Sequence, residues 1–208
     1  RTDNFTGYIS EGTSFGRPAC NEIISLMESS QGVLWAGTWY GGLARFNKET
    51  GQFRYYFGEG DTLTIPRIRT LFQRTANSFY LGSDDGLYTF NTTTGECLPT
   101  DDEQNKESIY ACYQDREGGI WIGTYFSGVS YLSPKHKDIE WYYPNGTENS
   151  LSGNVISQFC EDPDGNIWIA TEDGGLNLFD PRTKKFKNHL LRSSNPNIGY
   201  HNIHALLY

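Results

Sequence analysis

Four short stretches of this 208-residue chain concentrate side chains able to bind or react: Trp39-Tyr40, Asp84-Asp85, Tyr125-Phe126 and Glu172-Asp173. Each pair directly follows a hydroxyl residue (Thr38, Ser83, Thr124, Thr171), and aromatic pairs alternate with acidic ones along the chain. Aromatic faces stack on sugar rings while carboxylates accept hydrogen bonds from sugar hydroxyls, so the set suits a glycan. The same residues serve equally as filler between packed elements, and the sequence leaves both readings open. Arg67 and Arg69 precede the second pair. A guanidinium there either clamps a carboxylate or sulfate on an anionic sugar or pairs with a nearby acid such as Asp61 or Asp84. Pairing is the favoured reading.

Other chemistries find less support. Glycoside hydrolysis needs two carboxyl groups within about 5–10 Å, and a whole intervening segment separates Asp84-Asp85 from Glu172-Asp173. The chain is therefore expected to have no catalytic residues. Asp162-Pro163-Asp164-Gly165-Asn166 resembles the start of a calcium loop, but its Gly falls fourth instead of sixth. His201 and His204 lack a third ligand, and no metal or cofactor is expected. Cys20, Cys97, Cys112 and Cys160 are widely spaced with no CxxC, which argues against zinc and redox chemistry. They read as free thiols. With 17 Lys and Arg against 25 Asp and Glu, the net charge of −8 disfavours nucleic-acid binding, which needs clustered cations. The basic run from Arg182 to Lys187 reads as a solvated turn. No apolar run approaches the ~18 residues of a membrane span, so no membrane contact is expected within this segment, and residues 1–16 lack the apolar region of a signal peptide.

The candidate pairs are positioned by a repeat. Isoleucines at 23, 68, 109, 156 and 203 open similar segments, 41 to 47 residues apart. Twelve residues after the first four stand Trp35, Tyr80, Trp121 and Trp168; two further on come Gly37, Gly82, Gly123 and Ala170. A large ring followed by a minimal residue is what closely packed, radially arranged sheets require. Gly42, Gly86, Gly128 and Gly175 precede an aliphatic residue, and Phe46, Phe90, Leu132 and Phe179 mark a third strand ending in turn formers. Short runs of period-2 alternation, a period in the forties and no helical periodicity predict an all-β fold. Each repeat is one four-stranded blade of a β-propeller.

The expected division is 1–22 as the last strand and link of a preceding blade, with Phe5 and Tyr8 in strand context. Blades follow at 23–67, 68–108, 109–155 and 156–202, and 203–208 is the first strand of a following blade. This reads as a propeller fragment with four complete blades and partial blades at both ends. An open arc exposes its terminal blade faces, which predicts either a homodimer or an excerpt of a longer chain. In a propeller the loops between second and third strands share a face near the central channel, which is where the four pairs are expected to lie.

Segments such as CEDPDGNIWIATEDGGLNLFDPRTKKFKNH and QDREGGIWIGTYFSGVSYLSP resemble the two-component regulator propeller repeat, over about residues 20 to 208. The second blade departs from the pattern, with Asn77-Ser78-Phe79-Tyr80 in place of Gly-Asn-Ile-Trp. The resemblance implies a seven-bladed propeller in the periplasmic sensor region of a Bacteroides-type hybrid two-component histidine kinase. It implies recognition of oligosaccharide breakdown products and signalling to a kinase that this chain does not contain. A protein-interaction scaffold is the alternative, and a propeller glycosidase or lyase is a weaker one.

Overall fold

The computed structural model describes residues 6–8, 21–57, 63–65, 67–100, 106–134, 139–189 and 202–207. Phe5, Cys20, Asp61 and His201 lie outside the described residues. The described part contains sixteen strands and no α-helix. They form four antiparallel sheets of four strands, each in simple sequence order.

The first sheet holds β1 (Ile23–Glu28), β2 (Leu34–Thr38), β3 (Leu43–Asn47) and β4 (Gln52–Tyr56); the second holds β5 (Ile68–Thr75), β6 (Ser78–Ser83), β7 (Gly86–Asn91) and β8 (Cys97–Pro99). The third is built from β9 (Ile109–Gln114), β10 (Ile120–Thr124), β11 (Val129–Leu132) and β12 (Ile139–Tyr142), and the fourth from β13 (Ile156–Glu161), β14 (Ile167–Thr171), β15 (Gly175–Asp180) and β16 (Lys185–His189). By contacts the chain divides into two units, residues 1–84 with 88–100 and residues 85–87 with 101–208. The first two sheets pack in the first unit, the last two in the second.

Within each unit the ring-then-glycine column explains the packing. In the first, Trp35 meets Phe79 and Phe90 edge-on, at 5.2 and 5.8 Å between ring centroids. In the second, Trp121 meets Phe179 in the same way at 5.4 Å. The neighbouring glycine makes room for the next sheet's opening isoleucine. A Cβ on Gly37 would stand 2.1 Å from the Ile68 carbonyl oxygen, and one on Gly123 would stand 2.5 Å from Ile156 Cγ2. Ile68 and Ile156 are fully buried in the two cores. A ring from the outermost strand completes each contact: Tyr56 lies 5.6 Å from Phe90, and Tyr142 lies 4.8 Å from Phe179. Tyr8 stands 4.8 Å from Phe46, so it sits on the first sheet as Tyr56 sits on the second.

The hairpin between the first two strands is fastened by the side chain six residues before each ring. Asp115 accepts from the Gly119 amide and the Trp121 indole, and Asp162 accepts from the Asp164 and Asn166 amides and the Trp168 indole. The calcium-like motif is thus a self-satisfied turn. Burial pushes the Asp162 pKa up, but the hydrogen bonds from Asn166, Trp168 and Asp164 outweigh it and hold the carboxyl below its ordinary range. In the divergent second sheet that position is Arg74, whose guanidinium lies over the Tyr80 ring at 5.4 Å.

Residues 202–207 form no regular strand, unlike the expected opening strand at 203–208. They still follow the edge of the fourth sheet, with Ile203 N–H donating to the Thr171 carbonyl and Leu206 N–H to Gln158 Oε1. Cys97, Cys112 and Cys160 are free thiols. Burial pushes the Cys97 and Cys112 thiols up to about 12, which removes them as nucleophiles.

Candidate ligand-binding turns

The turn between second and third strands is built the same way in three sheets. The threonine hydroxyl donates to the carbonyl four residues on: Thr38 to Gly42 at 2.9 Å, Thr124 to Gly128 at 3.0 Å and Thr171 to Gly175 at 2.8 Å. Those glycines have positive φ, and a Cβ on Gly42 would stand 2.1 Å from the Tyr56 carbonyl oxygen. The tight turn therefore needs both the hydroxyl and the glycine.

The first residue after the threonine is pinned through its backbone. Trp39 N–H donates to the Glu22 carbonyl, Tyr125 N–H to Ser108 and Glu172 N–H to Val155, in each case the residue preceding the opening isoleucine. Its side chain is half-buried in every sheet, whereas the second residue of each pair points outward. Tyr40 is 60% exposed and Phe126 is 72% exposed. Asp85 and Asp173 are exposed as well.

A β-bulge aims a further side chain, Arg69 or Tyr110, at two of these turns. In every first-to-second strand ladder the register slips just after the opening isoleucine, so the next residue has no ladder partner. These residues are Ile24, Arg69, Tyr110 and Ser157. Bulges redirect side chains in this way.

In the first unit the bulge and link arginines meet the aromatic turn. Arg67 lies over the Trp39 ring at 4.2 Å, and Arg69 is 5.6 Å from it. Both hold Asp84: Arg67 Nη1 donates to Oδ2 at 2.8 Å, and Arg69 Nε to Oδ1 at 2.5 Å. Burial lowers the Arg67 pKa, but the Asp84 charge and polar contacts with Tyr40 and Asp84 outweigh it and hold the guanidinium above its ordinary value. Tyr40 meets Trp39 in a T-shaped contact at 6.1 Å. Trp39, Tyr40, Arg67 and Asp84 thus form one cluster, in which Asp84 is an ion-pair partner with both oxygens engaged.

In the second unit three rings stack in series. Tyr110 lies 4.8 Å from Tyr125, which lies 4.4 Å from Phe126 with the planes nearly perpendicular. The Ser127 hydroxyl donates to the Glu107 carboxylate beside them. Tyr110 is a site residue that sequence reasoning did not single out; its place after the opening isoleucine is the signal, legible only once the bulge is known. The acidic turn of the fourth sheet is committed locally. Asp173 accepts from the Asn154 and Val155 amides at 3.0 and 3.1 Å, and Glu172 lies 3.3 Å from His204 Nδ1. Among the described residues, no group of three or more metal-ligating side chains gathers.

Family comparison agrees with this repeat geometry. The model of the two-component regulator propeller matches residues 18–40, 103–126 and 150–173. Each match ends on the second residue of a turn pair. Three of the four repeats match the two-component regulator propeller repeat. The unmatched repeat is the second, the one with the divergent hairpin. No curated protein matches the sequence. Among solved structures, the chain is similar to the extracellular domain of hybrid two-component system BT4673 from B. thetaiotaomicron, at TM-score 0.74 and 16% identity over 93% of this chain and 24% of that one. It is similar too to the extracellular domain of hybrid two-component system BT3049 from the same organism, at TM-score 0.68 and 22% identity over 87% of this chain and 24% of that one. A streptogramin B lyase shares the fold at TM-score 0.60 and 10% identity, over 84% of this chain and 56% of that one. This chain spans about a quarter of the length of the two extracellular domains. At these identities the likeness shows the β-propeller fold.

Proposed function

We propose that this propeller segment is the ligand-sensing part of a hybrid two-component sensor, lying in the periplasm and recognising oligosaccharide breakdown products. Two structural relatives named as extracellular domains of such systems support that setting. The observation that carries the ligand class is the pair of outward rings, Tyr40 and Phe126, each seated on a second ring that the backbone pins in place. A rigid, exposed aromatic face is a stacking surface for a sugar ring and loses little entropy on binding. The chain acts by binding and does no chemistry of its own. Asp84 and Asp173, two of the acids that hydrolysis would need, have both oxygens occupied by guanidinium and amide donors. Occupancy would alter the pairing of two receptor copies and so the output of a kinase elsewhere in the full-length protein.

The test is a thermal-shift screen against an oligosaccharide library, followed by titration calorimetry. A bound sugar at a hundredfold excess over Kd stabilises by about 2.7 kcal/mol. Tyr40→Ala or Phe126→Ala should abolish the shift while leaving the fold intact. Indifference to every sugar would refute the reading and favour a protein-interaction scaffold.

A further inference from the structure

Resting on that reading, we infer that the Tyr40 turn selects sugars bearing a carboxylate or sulfate, with Arg67 as the specificity-determining residue. Arg67 sits with its guanidinium over Trp39 at 4.2 Å, in polar contact with Tyr40 and ion-paired to Asp84 through Nη1. A guanidinium has five N–H donors. Among the described residues, only Asp84 and Tyr40 engage those of Arg67. Its side chain keeps 33% of its surface in solvent. Arg69 binds the other oxygen of Asp84, so two guanidiniums share one carboxylate. Trp39 also fixes the plane of Arg67, so its free edge is preorganised for the two-pronged contact that carboxylate and sulfate accept.

The aromatic turn of the second unit makes the contrast. Tyr125 and Phe126 have the same stacking rings, but among the described residues the contacts beside them come from Tyr110, Ser127 and Glu107, none of which is a guanidinium. That turn matches neutral hydroxyls. The acidic substituent is therefore read at Arg67, and the ring at Tyr40.

The experiment measures binding of uronate-bearing and sulfated tetrasaccharides, and of their neutral counterparts, to the full chain by calorimetry. One charge-assisted bond is worth about tenfold or more in affinity. The wild-type protein should prefer the anionic member of at least one pair by that margin, and added salt should shrink the preference. Arg67→Gln should abolish the preference, and Arg67→Lys should restore part of it. Asp84→Asn removes the competing carboxylate and should tighten anion binding, whereas a purely structural ion pair predicts no gain. Circular dichroism melts confirm that each variant is folded. Binding of neutral sugars with no anionic preference would overturn this inference and leave the glycan reading standing. Failure to bind any sugar would overturn both.

Discussion

Replacing Gly123 by alanine isolates the contact between the third and fourth sheets. Gly123 does not have a positive φ, so its backbone accepts an L-residue. Without a clash, Gly→Ala would stabilise the protein by about 0.4–1 kcal/mol through the unfolded chain. Here the added Cβ would lie 2.5 Å from Ile156 Cγ2, 2.7 Å from Ile156 Cβ and 3.1 Å from Phe159 Cε2. Ile156 is fully buried and cannot swing aside. Overpacking of this kind costs about 1–3 kcal/mol. For a chain of this size that is roughly a 2–12 °C fall in melting temperature. The assay is a far-ultraviolet circular dichroism melt of Gly123→Ala, Ile156→Ala and the double variant. Ile156→Ala removes Cγ2, so the double variant should lose less than the two single losses combined. A rise in melting temperature for Gly123→Ala, or strict additivity in the cycle, would refute the packing argument. Ala170, the counterpart of Gly123 in the fourth sheet, shows that the column itself admits a methyl group. What forbids it at Gly123 is the isoleucine opposite.

Asp162→Ala should cost about 1–3 kcal/mol in urea denaturation, because three amide and indole donors lose a charged acceptor. The folded Asp162 carboxyl titrates below its ordinary value. Its contribution is therefore full above the unfolded pKa and is lost as pH falls through the lower folded one; Asp162→Asn should flatten that acid limb, and an unchanged limb would exclude the turn as its source. With its thiol pushed up to about 12, Cys112 should stay unmodified by maleimide in the native protein at pH 8 and react on unfolding. Rapid native labelling at Cys112, mapped by mass spectrometry, would contradict a thiol held protonated in the folded protein.

Much of the blade grammar was legible because it is local and repeated. The rings at Trp35 and Trp121, the glycines after them and the Asp162 turn are columns one sees by aligning the chain with itself, and each column serves a contact made in more than one sheet. The candidate turns were legible only as positions. Trp39 and Tyr40 look equivalent in sequence, yet the hydrogen bond from the Trp39 N–H to the Glu22 carbonyl pins the first and leaves the second outward. Asp84 was open to two readings, a hydroxyl acceptor or an ion-pair partner, and Arg67 and Arg69 claim it as the second. Asp173 was grouped with it, and instead caps the amides of Asn154 and Val155.

By itself the sequence determined the strand count of each repeat, the turn chemistry and the residues that must be small, because these follow from backbone geometry and a period set by one blade. Tertiary structure decided which of the four pairs remain available to a ligand. Arg67 and Trp39 are 28 residues apart on separate sheets, and nothing in either neighbourhood specifies that a guanidinium will lie over the ring. That contact exists only because two sheets pack with the bulge of one against the turn of the other.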